Sequence, residues 1–196
     1  MKIIGVIGKI GSGKIIVSEL FLNFLHTEII NCDKLASSII DLNLKIQRKI
    51  KEQFGVKSFF EGKINRPYIR NIVFNDKEKL QVLNSIVHPE LFIELKKELK
   101  KYTSDTKLIV VEAAVMYEAK LFKLVDKVVW VNSSLEIAVN RASKRDHSKK
   151  EQIKNIYNSQ SCLENLKPYP DFIINNDRDL KSLKKQVEII FSELEK

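Results

Sequence analysis

Cysteine is nearly absent from this 196-residue chain: only Cys32 and Cys162 occur, far apart and in neither a CxxC nor a metal-ligand pattern. That argues against a disulfide framework or a zinc site and suits a reducing cytosol. Long apolar runs are lacking as well. The apolar start, Met1 to Ile7, is too short for a secretory core and is followed by Gly8, Lys9 and Lys14, so neither a signal peptide nor a membrane span is expected. There is no internal repeat, low-complexity tract or obvious linker. Acidic residues are outnumbered, 25 against 34 Lys and Arg, which leaves a net charge of +9. A basic surface concentrates phosphates, nucleic acid or acidic membranes, and charge alone does not choose among them. No RNA-recognition or zinc-finger motif supports nucleic-acid binding. With 44% hydrophobic residues, the chain is long enough for one sizeable core and short for two, so a soluble, cytoplasmic single domain is expected.

What is present is a series of short β-branched runs: Ile3–Ile7, Glu28–Ile30, Leu108–Val111, Val128–Val131 and Phe172–Ile174. Near-continuous apolar strands of this kind suit a parallel sheet buried on both faces. Stretches with helical spacing lie between them, which predicts an α/β three-layer fold with a mainly parallel five-stranded sheet. The longest gap, from about 33 to 102, holds only helical-looking sequence and reads as a helical insertion. A charged stretch, Arg141 to Gln160, carries Arg141, Lys144, Arg145, Lys149 and Lys150 and reads as a short helical lid, a cationic flap, over about 140–160. The remainder, about 1–32, 103–139 and 161–196, forms the core. From Asp179 onward, Leu180, Leu183, Val187, Ile190 and Leu194 predict a closing amphipathic helix.

Glycine is scarce, yet four of the six, Gly5, Gly8, Gly11 and Gly13, fall within nine residues. Gly8-Lys9-Ile10-Gly11-Ser12-Gly13-Lys14 match the glycine, four-residue gap and Gly-Lys of the Walker A pattern, between a strand and a helix. Such a loop turns backbone N–H groups toward phosphates, the helix N-terminus favours negative charge, and Lys14 reaches the terminal phosphates. An ordinary βα turn needs only one or two glycines. The pattern departs at one position: Ile15 stands where a Ser or Thr hydroxyl normally ligates Mg²⁺. Ser18 lies one turn further on, roughly 4.5 Å in rise.

Beyond the loop, segments across nearly the whole chain resemble the dephospho-CoA kinase family. The opening resembles IGLTGGIGSGK, and Asn31-Cys32-Asp33 falls where the family has Asp-x-Asp. Ile64 to Phe74 resembles (D/N)RxxLRxxVF, and Leu83 to Pro89 resembles LNxIxHP. Glu112 to Glu118 stands at DxPLLFE, with Ala113 to Met116 lacking its Pro-Leu-Leu. Arg141 to Asp146 matches RxxxRD, while Gln160, Glu164, Asp171 and Asn175-Asn176 resemble the QxxxEK…AD.VI.N ending. The resemblance implies a P-loop NTPase fold like that of the nucleoside monophosphate kinases, with a core, a helical acceptor-binding insertion and a lid. It also implies transfer of the ATP γ-phosphoryl group to the ribose 3′-hydroxyl of dephospho-CoA, with Mg²⁺. The alternative is a nucleotide- or CoA-binding protein with weak or no kinase activity, because of Ile15 and of Asn31, whose amide cannot act as a base.

By the same resemblance, Asp33, Lys14 and Arg141 are the catalytic residues, with Asp33 activating the acceptor hydroxyl. Gly8, Lys9, Ile10, Gly11, Ser12, Gly13, Lys14 and Ile15 bind the nucleotide together with Arg141, Arg145 and Asn175. Asp33, Arg66, Arg70 and His88 bind the acceptor, and Glu112, in Walker B-like position, holds the metal through water. Each also has a plainer reading. Asp33 suits a cap on a helix starting near Lys34. Arg141 and Arg145, four apart on one helix face, are equally solvated surface charge. Arg66 before Pro67 suits helix entry, and His88 before Pro89 a helix boundary. Ser133-Ser134-Leu135-Glu136 has capping-box form, and the Lys-rich stretch Glu94 to Lys101 reads as a solvated face.

Overall fold

In chain order the elements are β1 (Lys2–Ile7), α1 (Lys14–Phe21), β2 (Thr27–Asn31), α2 (Cys32–Leu42), α3 (Leu44–Phe54), β3 (Phe59–Phe60), β4 (Lys63–Ile64), α4 (Arg66–Asn75), α5 (Lys77–Leu99), β5 (Leu108–Glu112), β6 (Lys127–Asn132), α6 (Leu135–Asp146), α7 (Lys150–Ser159), β7 (Phe172–Asn175) and α8 (Leu180–Leu194). The computed structural model describes residues 1–160, 165, 166 and 168–196, with Phe74 and Asn75 as helix backbone only. Cys162 and Glu164 lie outside the described residues. The chain forms two compact units, Met1–Asn31 with Tyr102–Lys196, and Cys32–Lys101.

The first unit holds the sheet expected from the β-branched runs, five parallel strands in the order β2-β5-β1-β6-β7. Every residue of β5 is buried, because both faces of a central parallel strand are covered. On one face, α1 and α8 lay Val17, Leu20, Phe21, Leu183, Val187, Ile190 and Leu194 against Ile4, Val6, Val110, Val129 and Ile174. Helix α8 follows the predicted stripe except at Leu180, which is 53% exposed because it sits at the first position. From β1 the chain passes to β2 on one side of the sheet, and β6 and β7 lie on the other. The loop after β1 therefore leaves the sheet at its topological switch point, where open α/β sheets hold ligands at the carboxyl ends of their strands.

The second unit is built on α2 to α5, with Ile39, Ile46, Ile50, Phe54, Leu91, Leu95 and Leu99 buried. Three sequence readings need correction here. The segment is not wholly helical, since β3 and β4 pair antiparallel across Glu61 and Gly62, both at positive φ, 47° and 79°. A two-residue turn with both φ positive matches the twist of a hairpin. Helix α2 starts at Cys32 with Asp33 inside its first turn, so Asp33 is not a cap on a helix starting near Lys34. Pro89 does not mark a boundary: α5 runs through it for 23 residues. Arg66 and Pro67 do open α4, with the Asn65 side chain accepting from Tyr68 N–H. Lys97 and Lys101 pair with Glu94 and Glu98 one turn earlier on the solvated face.

Candidate active site

The phosphate loop is shaped by two glycines that no other residue can replace. Gly11 has φ +76° and Gly13 φ +90°, a region that L side chains rarely adopt. A Cβ at Gly11 would also collide with the Ala138 carbonyl of α6, and one at Gly13 with the Asn176 side-chain amide. The first intrahelical bond of α1 runs from Val17 N–H to Gly13 O, 3.1 Å, which leaves the N–H groups of Lys14, Ile15 and Ile16 ahead of it without intrahelical partners. Lys14 is half-buried, and its ammonium is unpaired among the described residues. Open amides, a positive helix end and an unpaired lysine fit the terminal phosphates of a nucleotide.

The loop is fastened from several sides. Gln160 Oε1 accepts from Ile10 N–H at 2.7 Å, and the Ser12 carbonyl accepts from Asn176 Nδ2 at 2.8 Å in a buried bond. The Lys9 ammonium lies 4.4 Å from the Tyr157 ring centroid, and Ile10 packs on Val139, Ala142 and Ile153. The charged stretch read as a flap is thus a helix pair, α6 and α7, turning at His147 in left-handed conformation, φ 49°. Beside Gly8 and Lys9, a small cavity is lined by Ala114, Tyr117, Trp130 and Gln160. The Tyr117 hydroxyl and Trp130 indole N–H are buried without a partner among the described residues. Burial, with a smaller contribution from Asp171, pushes the Tyr117 phenol up to about 12, so it is a neutral hydroxyl at physiological pH.

The capping-box reading of α6 is corrected. Ser134 is the N-cap and its side chain makes no cap bond; the Asp177 carboxylate instead accepts from Ser134 N–H at 2.8 Å and from the Ser133 hydroxyl at 2.9 Å. The Ser134 N–H foremost, then the Ser133 hydroxyl and the Arg141 charge, hold that carboxyl below its usual range against an opposing desolvation. Arg141, half-buried, donates from Nη1 to Asn176 O at 2.8 Å. Arg145 differs: its exposed guanidinium grips Asp146 through two bonds, 2.6 and 2.8 Å. The Asn175 side chain accepts from Asn132, and its backbone pairs with Gln186. Asp171 fixes the β6 edge through Val128 N–H and Lys127.

Glu112, 4% exposed, ends β5 between Val6 and Asn31 in strand register. It stands at the carboxyl edge of the sheet, beside the strand that leads into the phosphate loop. Ile15 is 42% exposed and carries no oxygen, while the Ser18 side chain is 1% exposed with its Oγ unpartnered among the described residues. Neither fits direct coordination of Mg²⁺. In the second unit, the Asp33 carboxylate is exposed and unpartnered among the described residues, its backbone carbonyl accepting from Ser37. Arg66 makes a 3.3 Å pair with Asp41, Arg70 is exposed, and His88 is half-buried.

The sequence model of the family described as Dephospho-CoA kinase matches residues 2–182. The chain belongs to the dephospho-CoA kinase family. A dephospho-CoA kinase of Aquifex aeolicus is 33% identical over 196 residues, covering 99% of this chain and 98% of its own. One of Fusobacterium nucleatum is 36% identical, with 95% of each chain covered. The solved dephospho-CoA kinase of Campylobacter jejuni superposes with a TM-score of 0.70 at 27% identity, over 99% of this chain and 98% of that one. The P-loop NTPase-like α/β fold expected from the sequence is therefore that of a kinase family. Sequence reasoning assigned no bond to Asn176 or Gln160 and missed Asp177 altogether. Their only sequence signal was the family-like ending, which does not say that Asn176, not Asn175, touches the loop.

Proposed function

We infer that the chain is an ATP-dependent dephospho-CoA kinase, making CoA by phosphorylating the ribose 3′-hydroxyl of dephospho-CoA. The observation that carries this is the phosphate loop itself. Its glycine-bent backbone and unpaired Lys14 stand at the switch point of the sheet, in a chain matched to the family over residues 2–182. The γ-phosphorus bonds to the acceptor O3′ as its bond to the β–γ bridging oxygen breaks, so ADP leaves with that electron pair. The hydroxyl proton passes to the Asp33 carboxylate, whose unpartnered oxygens suit a general base. Lys14 and Arg141 neutralise charge on the transferring group, the loop residues Gly8 to Ile15 cradle the nucleotide, and Arg145 and Asn175 flank it. Arg66, Arg70 and His88 bind the acceptor.

A divalent cation would be held differently here from the usual P-loop enzyme. Ile15 removes the hydroxyl ligand, so the nucleotide phosphates and water would have to supply its shell, with Glu112 acting through water. The scarcity of cysteine suits a reducing cytosol, and no helix among the described residues is long and apolar enough to cross a membrane. The test is incubation with ATP, Mg²⁺ and dephospho-CoA followed by mass analysis. A product heavier by one phosphoryl group, with stoichiometric ADP, supports the inference. ATP binding without product would instead favour a binding protein disabled at Ile15.

A further inference from the structure

Asn176 is buried, 5% exposed, and its side-chain nitrogen, backbone N–H and backbone carbonyl are all committed. Its side-chain Nδ2 donates to Ser12 O of the phosphate loop at 2.8 Å. Its backbone N–H donates to Asn132 O at the end of β6, 2.9 Å, and its backbone carbonyl accepts from Arg141 Nη1, 2.8 Å. The absent Cβ of Gly13 is the space that Nδ2 occupies. One residue thus meets the loop on the two peptide units before Lys14, and an arginine of α6 at its own carbonyl. None of this belongs to the assignments above, which placed Asn175 rather than Asn176 with the nucleotide.

We propose that Asn176 is a positioning residue for phosphoryl transfer, pinning the Ser12 carbonyl outward so that the Gly13 amide faces the phosphates, in fixed register with Arg141. The physical reason is the direction of a peptide unit. The Ser12 carbonyl and the Gly13 N–H belong to the same planar amide and point oppositely. A donor that holds the oxygen on one side therefore fixes the N–H on the other. Without that donor, the Ser12–Gly13 peptide is free to rotate between two glycine-permitted orientations, since Gly13 tolerates φ of either sign. Asparagine suits the task because its amide donates to a carbonyl without carrying charge. Aspartate has the same shape, but its ionised form is an acceptor only and would face the Ser12 oxygen with repulsion.

This inference rests on the reading that the loop binds the ATP phosphates, and equilibrium binding of ATP to the wild-type protein checks that reading separately. In Asn176→Asp the two backbone bonds remain and only the side-chain donor is changed. At about pH 8 its ATP dissociation constant should rise at least about tenfold, with KM for dephospho-CoA unchanged. Burial raises the introduced carboxyl out of its ordinary range, and once protonated it is a donor again. Affinity should therefore recover toward wild type as the pH falls from about 8 to about 5, while wild type shows no such gain. Asn176→Ala should weaken ATP binding to a similar extent with no recovery at low pH. Wild-type binding with neither variant altered more than about twofold would overturn the proposal. So would a loss in Asn176→Asp that lower pH does not reverse. If Asn176→Asp does not fold, the alanine variant decides, by an ATP KM raised about tenfold against an unchanged dephospho-CoA KM. Equal changes in both constants would mean a general structural role.

Discussion

The two units hold their candidate functional groups by opposite means. In the first, the loop is bent by Gly11 and Gly13 and tied by Asn176 and Gln160, and Arg141 is bonded to the Asn176 carbonyl. In the second, the Asp33 carboxylate and the Arg70 guanidinium are exposed and unpartnered among the described residues, and Arg66 has one exposed pair. The groups of the first unit are fixed by bonds within the protein, whereas exposed side chains without partners would have to be ordered by whatever binds them, at an entropy cost borne then. Stability and activity should therefore be coupled in the first unit and separable in the second.

The largest effects should come from the reacting groups. Lys14→Ala and Asp33→Asn are each expected to lower turnover at least about 100-fold, while urea unfolding of Asp33→Asn stays near wild type because its carboxylate has no partner among the described residues. Near-normal turnover in either variant would remove the role given to that residue. A smaller change is expected at Ile15. Restoring the hydroxyl in Ile15→Ser should tighten the Mg²⁺ dependence of ATP binding by about tenfold, the lower end of what a metal-site partner contributes. An unaltered Mg²⁺ titration by calorimetry would mean that the cation is already fully held.

Next comes the cap that ties β7 to α6. Asp177→Asn should destabilise by no more than about 1 kcal/mol at pH 7, because asparagine keeps an acceptor and loses only the charge of an exposed carboxylate. The folded carboxyl is held below its ordinary range, so its stabilisation is complete above about pH 3.9, where the unfolded group titrates, and is lost as pH falls through the lower folded value. Thermal melts of wild type and Asp177→Asn should therefore converge in acid; a gap that persists there would refute the electrostatic account. The smallest effect belongs to the second unit. Arg66→Ala should cost under about 1 kcal/mol, because an exposed ion pair contributes little, yet raise KM for dephospho-CoA. A larger loss in urea unfolding with KM unchanged would reverse the comparison.

Particular residues show how far sequence reading reaches. The strands were legible because Leu108–Val111 and Val128–Val131 are short, β-branched and almost uncharged. The loop was legible because four glycines crowd one turn. The hairpin at Glu61-Gly62 was hidden because its strands have only two residues each, too short for any alternation to register. Pro89 misled because a proline normally ends a helix; here α5 is long enough, with Leu91, Leu95 and Leu99 buried, for packing to outweigh one missing N–H.

By itself the sequence determined the parallel sheet, the phosphate loop after its first strand, the family and the absence of a hydroxyl at position 15. These depend on local pattern, on periodicity, glycine placement and residue identity, which a linear chain displays. Only the tertiary structure decided that Asp177 caps α6, that Gln160 and Asn176 tie the loop, and that Arg141 and Arg145 take different partners although they share a helix face. Those bonds join residues as far apart as 164 positions, and such pairing is fixed by how the strand ends converge once the sheet has formed, which no local pattern carries.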